Sequence, residues 1–494
     1  MPYAIIISVI VTVAIAAATV LTHSDIPLAG LACATVLIVP LVTISHRRRF
    51  LVLAYVALAF LGPAIPLTSQ VSMEPADVAG ALLLLASLLT HRPRHATWVR
   101  CSWVFGVVAL MACTSLLATL PSLLGPSVLH ATRLLFVGAA CDNTYILVQR
   151  REITLAAVAR TIVYAGTLGS MVGVVLFVFQ IHPPSLTAGQ EVYLPTGPAL
   201  RGVGLIGEAS NFALLSLLVF AVAAYVHHEV PLTFATRVMA GFAGVLGVLV
   251  SFSREVAVGV LLLIFLHGVL QRSYRKTLLL AAAVAAAAAA AYVSVPFVRE
   301  ALASRLTQTT GATGLNTLLS GRIDEWSAIW GNVVGAPQLL ATGHGFKSLT
   351  ALLSTSGGPI VGDNTYLTLL FEEGIAGFLL VVVAWFAIVR GLLRLPYVGS
   401  ALGAYALVFT CLGLFADVFT YSRVLGPLLV LAASAAAPVF TPAPGTLPRF
   451  ALLPAMAVPH SGPSGPYRGR AQGSPNSAAV TDSPRPVTAS LDRP

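Results

Sequence analysis

The chain has 494 residues, of which 57% are hydrophobic and only 9% are charged, and its mean hydropathy is +0.89. Because a soluble domain is about a quarter charged, this composition excludes an ordinary soluble protein and indicates one that crosses a membrane many times. The formal net charge is +10. The basic residues lie in short loops and form no basic face with stacking aromatic residues, so nucleic acid is not expected as a partner.

Apolar segments of about the length that crosses a bilayer, roughly 20 residues, follow one another along the chain. We predict transmembrane spans near residues 3–21, 26–44, 50–67, 78–91, 101–120, 127–148, 153–179, 212–226, 238–251, 256–270, 277–296, 365–389, 398–416 and 424–440. The first has no Lys or Arg at its start, so it is interpreted as a retained span and not as a cleaved signal peptide. The predicted fold is an all-α polytopic membrane protein with about 12–14 transmembrane helices.

Arginine and lysine residues concentrate in alternate loops, at residues 47–49, 92–100, 150–151, 272–276 and 390–394. The positive-inside rule assigns such loops to the cytoplasm. This orientation places both termini inside the cell and makes the chain a multi-pass protein of the plasma membrane. It also puts the longest hydrophilic stretch, residues 297–364, on the extracytoplasmic face, where we expect an ordered loop that carries short helices.

The composition divides the chain into a transmembrane bundle, residues 1–440, and a tail, residues 441–494. The tail is rich in Pro, Gly, Ser and Ala and has few aromatic residues, which predicts a disordered cytoplasmic extension. No P-loop motif indicates ATP, and we expect no cofactor. The 5 cysteines have no paired ligand spacing and no Asp-x-Asp motif occurs, so no metal is expected.

Four segments that the predicted topology places on the outer face carry ionisable groups. Their sequences are GPALRGVGLIGEASN at 197–211, SFSREV at 251–256, SGRIDEW at 320–326 and GDNTYLTLLFEEG at 362–374. The first three supply Arg201, Arg254 and Arg322. If these segments converge, the three guanidiniums face one pocket, and arginine suits phosphate because its planar fork binds two oxygens and its charge is permanent.

Each of these residues also has an ordinary structural interpretation. Arg201 and Arg254 are compatible with roles in snorkelling or topology. Asp363 is compatible with a cap on the following helix, and His344, between two glycines, with an ordinary loop residue. Arg133 lies inside a predicted span, where an arginine indicates either a functional site or a pair with a neighbouring carboxylate.

Taken together, these motifs resemble those of the O-antigen ligase and polymerase family of membrane glycosyltransferases. The resemblance covers roughly residues 195–390. It rests on an outer arginine before a glycine-containing segment that ends near an asparagine, a serine–arginine hairpin, a long outer loop with a glycine–arginine pair and a tryptophan, a G-x-G, and a closing motif. In this chain these are Arg201 to Asn211, Ser253–Arg254, Gly321–Arg322 with Trp326, Gly343 and Gly345, and Asp363-Asn364-Thr365-Tyr366-Leu367 followed by Glu372-Glu373-Gly374.

The resemblance implies transfer of a glycan from a polyprenyl-pyrophosphate-linked donor to a hydroxyl acceptor on a glycan, a lipid or a protein, in a bacterial plasma membrane and without a metal. It implies that the three arginines contact the donor pyrophosphate and that Asp363 or His344 is the general base. The family commonly has histidine where this chain has Asp363. The residues expected to support the site are Asn364, Tyr366, Glu372 and Arg133.

Two other classes of function remain open. A lipid-linked oligosaccharide flippase, or another secondary transporter, is expected to show two similar halves and polar groups near the bilayer midplane. The sequence shows neither feature, and the glycosyltransferase is the preferred interpretation. A non-enzymatic membrane scaffold does not explain the outer arginines.

Overall fold

The computed structural model describes residues 48–63, 65–66, 72–89, 97–183, 191–194, 197–226, 230–294, 299–300, 322–349, 364–395, 398–419 and 421–437. The predicted spans at 3–21 and 26–44, residues 301–321 and 350–363 of the long loop, and the tail at 441–494 lie outside these residues. Asp363, one of the two predicted bases, is therefore outside the described part of the chain.

Helices make up nearly all of the described regular structure. In chain order they are α1 (Arg48–Leu61), α2 (Pro75–Leu89), α3 (Thr97–Cys113), α4 (Leu116–Thr119), α5 (Leu124–Gln149), α6 (Leu155–Val178), α7 (Ala209–Tyr225), α8 (Phe234–Val250), α9 (Arg254–Gln271), α10 (Tyr274–Ser294), α11 (Arg322–Gly335), α12 (Thr365–Leu393), α13 (Val398–Leu412) and α14 (Ser422–Ala436). Short 3-10 turns lie at Pro121–Leu123, Gly204–Ile206 and Pro337–Leu339.

Two short antiparallel hairpins lie between helices. Strand β1 (Ile65–Pro66) pairs with β2 (Ser72–Met73) between α1 and α2, and β3 (Glu191–Leu194) pairs with β4 (Gly197–Leu200) between α6 and α7. The amide of Leu200 donates a hydrogen bond to the side-chain oxygen of Gln180 at 2.7 Å, just beyond the end of α6. This contact fixes the end of β4, and with it the position of the next residue, Arg201.

Length and composition separate the described helices into two groups. Four helical stretches within the described residues are long and apolar enough to cross a membrane: Pro121–Gln149, Leu155–Val178, Arg254–Gln271 and Thr365–Leu393. The other apolar helical stretches there, among them Thr277–Ala286 of α10, have 10–17 residues, fewer than the about 20 that a span needs. The helical fold is thus confirmed, whereas the number of spans, about 12–14, stays a prediction. The predicted span at 101–120 is divided, because α3 ends before a turn at 114–115.

The core is formed where α5, α7 and α14 pack against their neighbours. Helix α14 is buried along most of its length, α5 packs against α3 and α14, and α8 packs against α7. Small residues bring the helices close, as when Ser170 of α6 and Ser216 of α7 form a hydrogen bond of 3.1 Å. The hydroxyl of Tyr405 donates to the carbonyl oxygen of Leu214 at 3.0 Å, which joins α13 to α7.

Candidate active site at the loop ends of the bundle

Arg201 lies against the short hairpin of residues 251–254 that joins α8 to α9. Its Nε donates a hydrogen bond to the carbonyl oxygen of Ser251 at 2.8 Å. The next amide, that of Gly202, donates to the carbonyl oxygen of Val250 at 2.7 Å. A Cβ on Gly202 would lie 2.9 Å from that same oxygen, so glycine permits the close approach. Main-chain and side-chain contacts together hold Arg201 at this hairpin.

Arg322 reaches the same hairpin from the long loop. It is the first residue of α11, and its Nη2 lies 3.9 Å from Oε1 of Glu255. Glu255 also accepts a hydrogen bond of 2.7 Å from the hydroxyl of Ser253. Arg254 is the first residue of α9, between Ser253 and Glu255. The structure therefore brings together, at one hairpin, the three arginines that the sequence placed in separate loops.

The G-x-G loop of residues 343–345 lies along a break in α12. The amide of His344 donates to the carbonyl oxygen of Phe371 at 2.9 Å, and the amide of Gly345 donates to that of Glu372 at 3.0 Å. Helix α12 is interrupted at Gly374, where φ is +68° and ψ is −178°. The loop amides thus satisfy carbonyl groups beside the break, as buried main-chain groups require.

Glycine is required on both sides of this contact. Gly343 and Gly374 have φ angles of +77° and +68°, a region that favours glycine. A Cβ on Gly374 would lie 2.5 Å from the carbonyl oxygen of Ala341, and a Cβ on Gly343 would collide with the carbonyl oxygen of Glu372. The G-x-G and the Glu-Glu-Gly of the closing motif are therefore one structural unit.

His344 is half-buried in this unit. Its imidazole stacks on the ring of Phe371 with a centroid distance of 4.2 Å and an interplanar angle of 8°. Burial lowers the pKa of the His344 imidazole below its ordinary value. At neutral pH the ring is therefore neutral and able to accept a proton, which is the protonation state that a general base requires.

Two adjacent carboxylates lie buried at the break in α12. Glu372 and Glu373 are only 2% and 4% exposed. One oxygen of Glu372 accepts a hydrogen bond from the amide of Leu349 at 3.2 Å. The other oxygen of Glu372 and Oε2 of Glu373 have no hydrogen-bond partner among the described residues. Unsatisfied buried carboxyl oxygens are costly, so Glu372 and Glu373 are candidates for a role in a site.

Lys347 adds a cation that the sequence analysis did not identify. Its Nζ lies 3.2 Å from Oδ2 of Asp417 and forms a hydrogen bond with it. Burial disfavours the ammonium form, but Asp417 and Glu372 outweigh this effect and hold the pKa of Lys347 above its ordinary value. The φ of Lys347 is +61°, an unusual angle for a residue with a side chain. The strain at Lys347 indicates a constrained position beside the closing motif.

Arg133 forms ion pairs with two carboxylates, which is one of the two interpretations that its place inside a predicted span allowed. Its Nη2 lies 2.8 Å from Oδ2 of Asp77, and its Nη1 lies 3.6 Å from Oε1 of Glu74. A second arginine, Arg423, lies against Glu74 and donates from Nη1 to the carbonyl oxygen of Gly62 at 2.9 Å. Burial alone would raise the pKa of Glu74, but Arg423 and Arg133 keep it below its ordinary value. The four charges form a network, with both arginines buried and both acidic residues partly buried, that joins α2, α5 and α14.

Asn364 and Tyr366 position the start of α12. The side-chain oxygen of Asn364 accepts hydrogen bonds from the amides of Tyr366 and Leu367 at 3.0 and 3.1 Å, so Asn364 is the N-cap of the helix. This assigns the cap to Asn364 rather than to Asp363. The hydroxyl of Tyr366 donates to the carbonyl oxygen of Thr410 at 2.6 Å, which fixes α12 against α13.

The predicted site residues thus fall into groups. Arg201, Arg254 and Arg322 adjoin the 251–254 hairpin, and His344 and Glu372 lie at the break in α12. Six charged residues have contacts in or beside these groups that their positions in the sequence did not predict, namely Lys347, Asp417, Glu373, Asp77, Arg423 and Glu74. A signal existed for some of them, because an acidic or basic residue that ends an apolar span is itself unusual.

No three His, Cys, Asp or Glu residues in the described part of the chain form a group that could hold a metal ion. Comparison with protein-family models found no match, and comparison with curated proteins found none either. The resemblance to the O-antigen ligase and polymerase family therefore rests on the sequence motifs alone.

Proposed function

We propose that the chain is a polytopic membrane glycosyltransferase. It transfers or polymerises a glycan from a polyprenyl-pyrophosphate-linked donor onto a hydroxyl acceptor at the extracytoplasmic face. The observation that carries this proposal is the convergence of Arg201 and Arg322 on the hairpin that contains Arg254. Three permanent positive charges from separate segments match the oxygens of a pyrophosphate, which arginine binds in pairs.

The proposed reaction forms one bond and breaks another at the anomeric carbon of the donor glycan. The acceptor oxygen bonds to that carbon, the carbon–oxygen bond to pyrophosphate breaks, and the electron pair leaves with the pyrophosphate. Arg201, Arg254 and Arg322 stabilise the growing negative charge, the largest single term in many enzymes. His344 or Asp363 accepts the proton of the hydroxyl. The lowered pKa of His344 supports the neutral imidazole that this step needs.

The long separation between Arg322 and Glu255 fits an exchange of partners. At 3.9 Å the pair is too far apart for a hydrogen bond. Glu255 keeps its own hydrogen bond to Ser253. When Arg322 turns from Glu255 to a bound pyrophosphate, the carboxylate of Glu255 therefore still has its hydrogen bond from Ser253.

We propose a membrane-embedded arrangement with about 12–14 spans and both termini in the cytoplasm. Contacts between loops support its sidedness. Two pairs join loops that the topology places outside, Arg201 with Ser251 and Lys347 with Asp417. On the opposite side, Arg160 reaches the carbonyl oxygen of Pro231 at 3.5 Å. We propose that residues 1–440 form the membrane bundle of a bacterial plasma-membrane protein.

A second candidate function, transport of a lipid-linked oligosaccharide or another solute, is favoured by the break in α12. Discontinuous helices with polar groups at the break form substrate and ion sites in secondary transporters. Glu372 and Glu373 are buried at this break. This candidate predicts movement of the glycan with its carrier still attached, so it predicts no free polyprenyl pyrophosphate.

Deletion of the gene in its native host distinguishes the two functions. Loss of the transferase is expected to shorten or remove a surface glycan while lipid-linked repeat units accumulate on the outer leaflet. Loss of a flippase is expected to leave these units on the inner leaflet. Restoration by wild-type protein and by Arg275→Ala, an exposed arginine at the start of α10, but not by Arg254→Ala, supports the arginine site. Restoration by Arg201→Ala, Arg254→Ala and Arg322→Ala alike would refute it.

A further inference from the structure

A cavity lies between the C-terminal end of α7, the first three turns of α8 and the first half of α10. Its volume is about 340 Å³, within the range of about 300–1,000 Å³ that small-molecule sites occupy. Its described lining is apolar except for one charged side chain, that of Arg237. The cavity is thus an apolar space with a single cation in its described lining.

Small side chains leave this space open. Ala224 of α7, Gly241 of α8 and Ala283 of α10 all line it. A Cβ placed on Gly241 would meet no atom within 4 Å. A side chain at position 241 would therefore enter the cavity instead of colliding with a neighbouring helix.

One donor of the half-buried Arg237 side chain has no acceptor among the described residues. Its Nε is buried and has no hydrogen-bond partner among them. A buried donor without a partner loses the free energy of its hydrogen bonds to water. A guanidinium favours phosphate, whose oxygens it binds in pairs. An anionic phosphate, the acidic group of membrane phospholipids, would satisfy this donor.

The outer surface of α8 at the cavity is strongly apolar. Phe234, Val238 and Phe242 follow one another at intervals of four residues and are 76%, 52% and 49% exposed. Such a stripe on a membrane-embedded helix faces lipid chains. The body of the occupant is therefore hydrocarbon.

We propose that this cavity binds an anionic phospholipid of the membrane, with its phosphate on Arg237 and an acyl chain along Gly241. The predicted topology places Arg237 on the cytoplasmic side, where basic pockets between transmembrane helices bind anionic lipid headgroups. The site depends on the membrane placement of the chain but not on the proposed reaction.

The test uses the full-length protein purified in detergent and native mass spectrometry. Phosphatidylglycerol, phosphatidylcholine and a polyprenyl phosphate are added separately at equal concentration. Wild-type protein is expected to retain phosphatidylglycerol several-fold more than phosphatidylcholine. Arg237→Gln is expected to remove this preference, and Gly241→Leu to reduce retention of both phospholipids.

Two matched variants serve as controls. Arg275→Gln removes an exposed arginine elsewhere, and Gly125→Leu adds a side chain where a Cβ also meets no atom within 4 Å. Both are expected to bind like wild type. Arg237→Lys keeps a charge and is expected to retain part of the preference, so it reports on the site if Arg237→Gln folds poorly.

Three results would overturn the proposal. The first is equal retention of the two phospholipids by the wild type. The second is an unchanged preference in well-folded Arg237→Gln protein. The third is retention of the polyprenyl phosphate that exceeds that of phosphatidylglycerol and is lost in Arg237→Gln, which would assign the cavity to the lipid carrier of the substrate. None of these results bears on whether the arginines near Ser251 bind pyrophosphate, which the glycan assay tests separately.

Discussion

His344 contacts Phe371 through both its main chain and its side chain. The amide of His344 donates to the carbonyl oxygen of Phe371 at 2.9 Å, and the imidazole stacks on the phenyl ring at a centroid distance of 4.2 Å. Phe371 immediately precedes Glu372 in the closing motif. One of the two predicted bases is therefore anchored to the motif that the resemblance places at the reaction centre.

This contact predicts the acid limb of the pH–rate profile. As a base, His344 must be neutral, and acidification removes activity by protonating it. Because burial lowers the pKa of His344, we expect half of the activity to be lost below the ordinary imidazole value of about 6.5. His344→Gln is expected to lose activity, whereas His182→Gln, at an exposed histidine, keeps it. If His344→Gln keeps full activity and loses it on acidification over the same pH range as the wild type, His344 is not the base and Asp363 takes that role.

Substitution of Asp363 tests a catalytic role without disturbing the cap of α12. Asn364 already caps α12, so Asp363→Asn is expected to leave the thermal stability nearly unchanged. If Asp363 takes part in proton transfer, the same variant loses glycan transfer. Transfer activity and melting temperature are measured on one preparation. Wild-type activity in Asp363→Asn would remove this residue from the mechanism.

The break in α12 predicts a strong dependence on Gly374. With φ at +68° and ψ at −178°, Gly374 occupies a region that is essentially limited to glycine. We expect Gly374→Ala to destabilise the protein by at least about 1–3 kcal/mol and to lower its melting temperature. Gly331→Ala in α11, where a Cβ meets no atom within 4 Å, is the control. Equal melting temperatures for the two variants would show that α12 is not broken.

The helices could be predicted from hydropathy, but the ends of several could not. The predicted span at 153–179 corresponds closely to α6, which covers Leu155–Val178. In contrast, the predicted span at 398–416 runs past the end of α13 at Leu412. The apolar residues that follow form a turn, and the carbonyl oxygen of Gly413 accepts a hydrogen bond from the amide of Thr365 at 2.8 Å. Hydropathy does not distinguish a buried turn from another helical turn.

One part of the candidate site could be predicted from the sequence, namely which loops share a face of the membrane. Arg201, Arg254 and Arg322 were placed on one face by charge asymmetry, and they adjoin one hairpin. The pairing of Arg133 with Asp77, which is 56 residues away in sequence, depends on how α2 packs against α5. No local pattern encodes such a contact, so the sequence left both interpretations of Arg133 open.

This ion pair predicts a strongly non-additive effect of two substitutions. Asp77→Leu leaves the guanidinium of Arg133, which is 3% exposed, without its main partner. Breaking a buried pair from one side costs about 3–5 kcal/mol, whereas replacing both partners by apolar residues is often neutral. We expect the double variant Asp77→Leu/Arg133→Met to be more stable than Asp77→Leu alone. Additive losses in melting temperature would show that the two residues do not interact.

The topology predicts which surfaces a membrane-impermeant thiol reagent reaches in intact cells. In a cysteine-free background, Asn332→Cys in α11 is expected to be labelled and Arg275→Cys is not, because positive loops stay in the cytoplasm. Both native side chains are exposed in the structure, so burial does not explain a difference in labelling. Labelling at position 275 and not at position 332 would reverse the orientation and move the arginine site to the cytoplasmic face.

The central claim is that three arginines at one hairpin stabilise a pyrophosphate leaving group, and a transfer assay with the purified full-length protein tests it most directly. The protein is given a polyprenyl-pyrophosphate-linked oligosaccharide and an acceptor, and release of polyprenyl pyrophosphate is measured together with the extended glycan. Each of Arg201→Ala, Arg254→Ala and Arg322→Ala is expected to lose about 2–4 kcal/mol of transition-state stabilisation, roughly 30-fold to 1,000-fold in kcat/KM. The corresponding lysine variants are expected to remain impaired at one site or more. Wild-type release of polyprenyl pyrophosphate by all three alanine variants, or none by the wild type, would contradict the account.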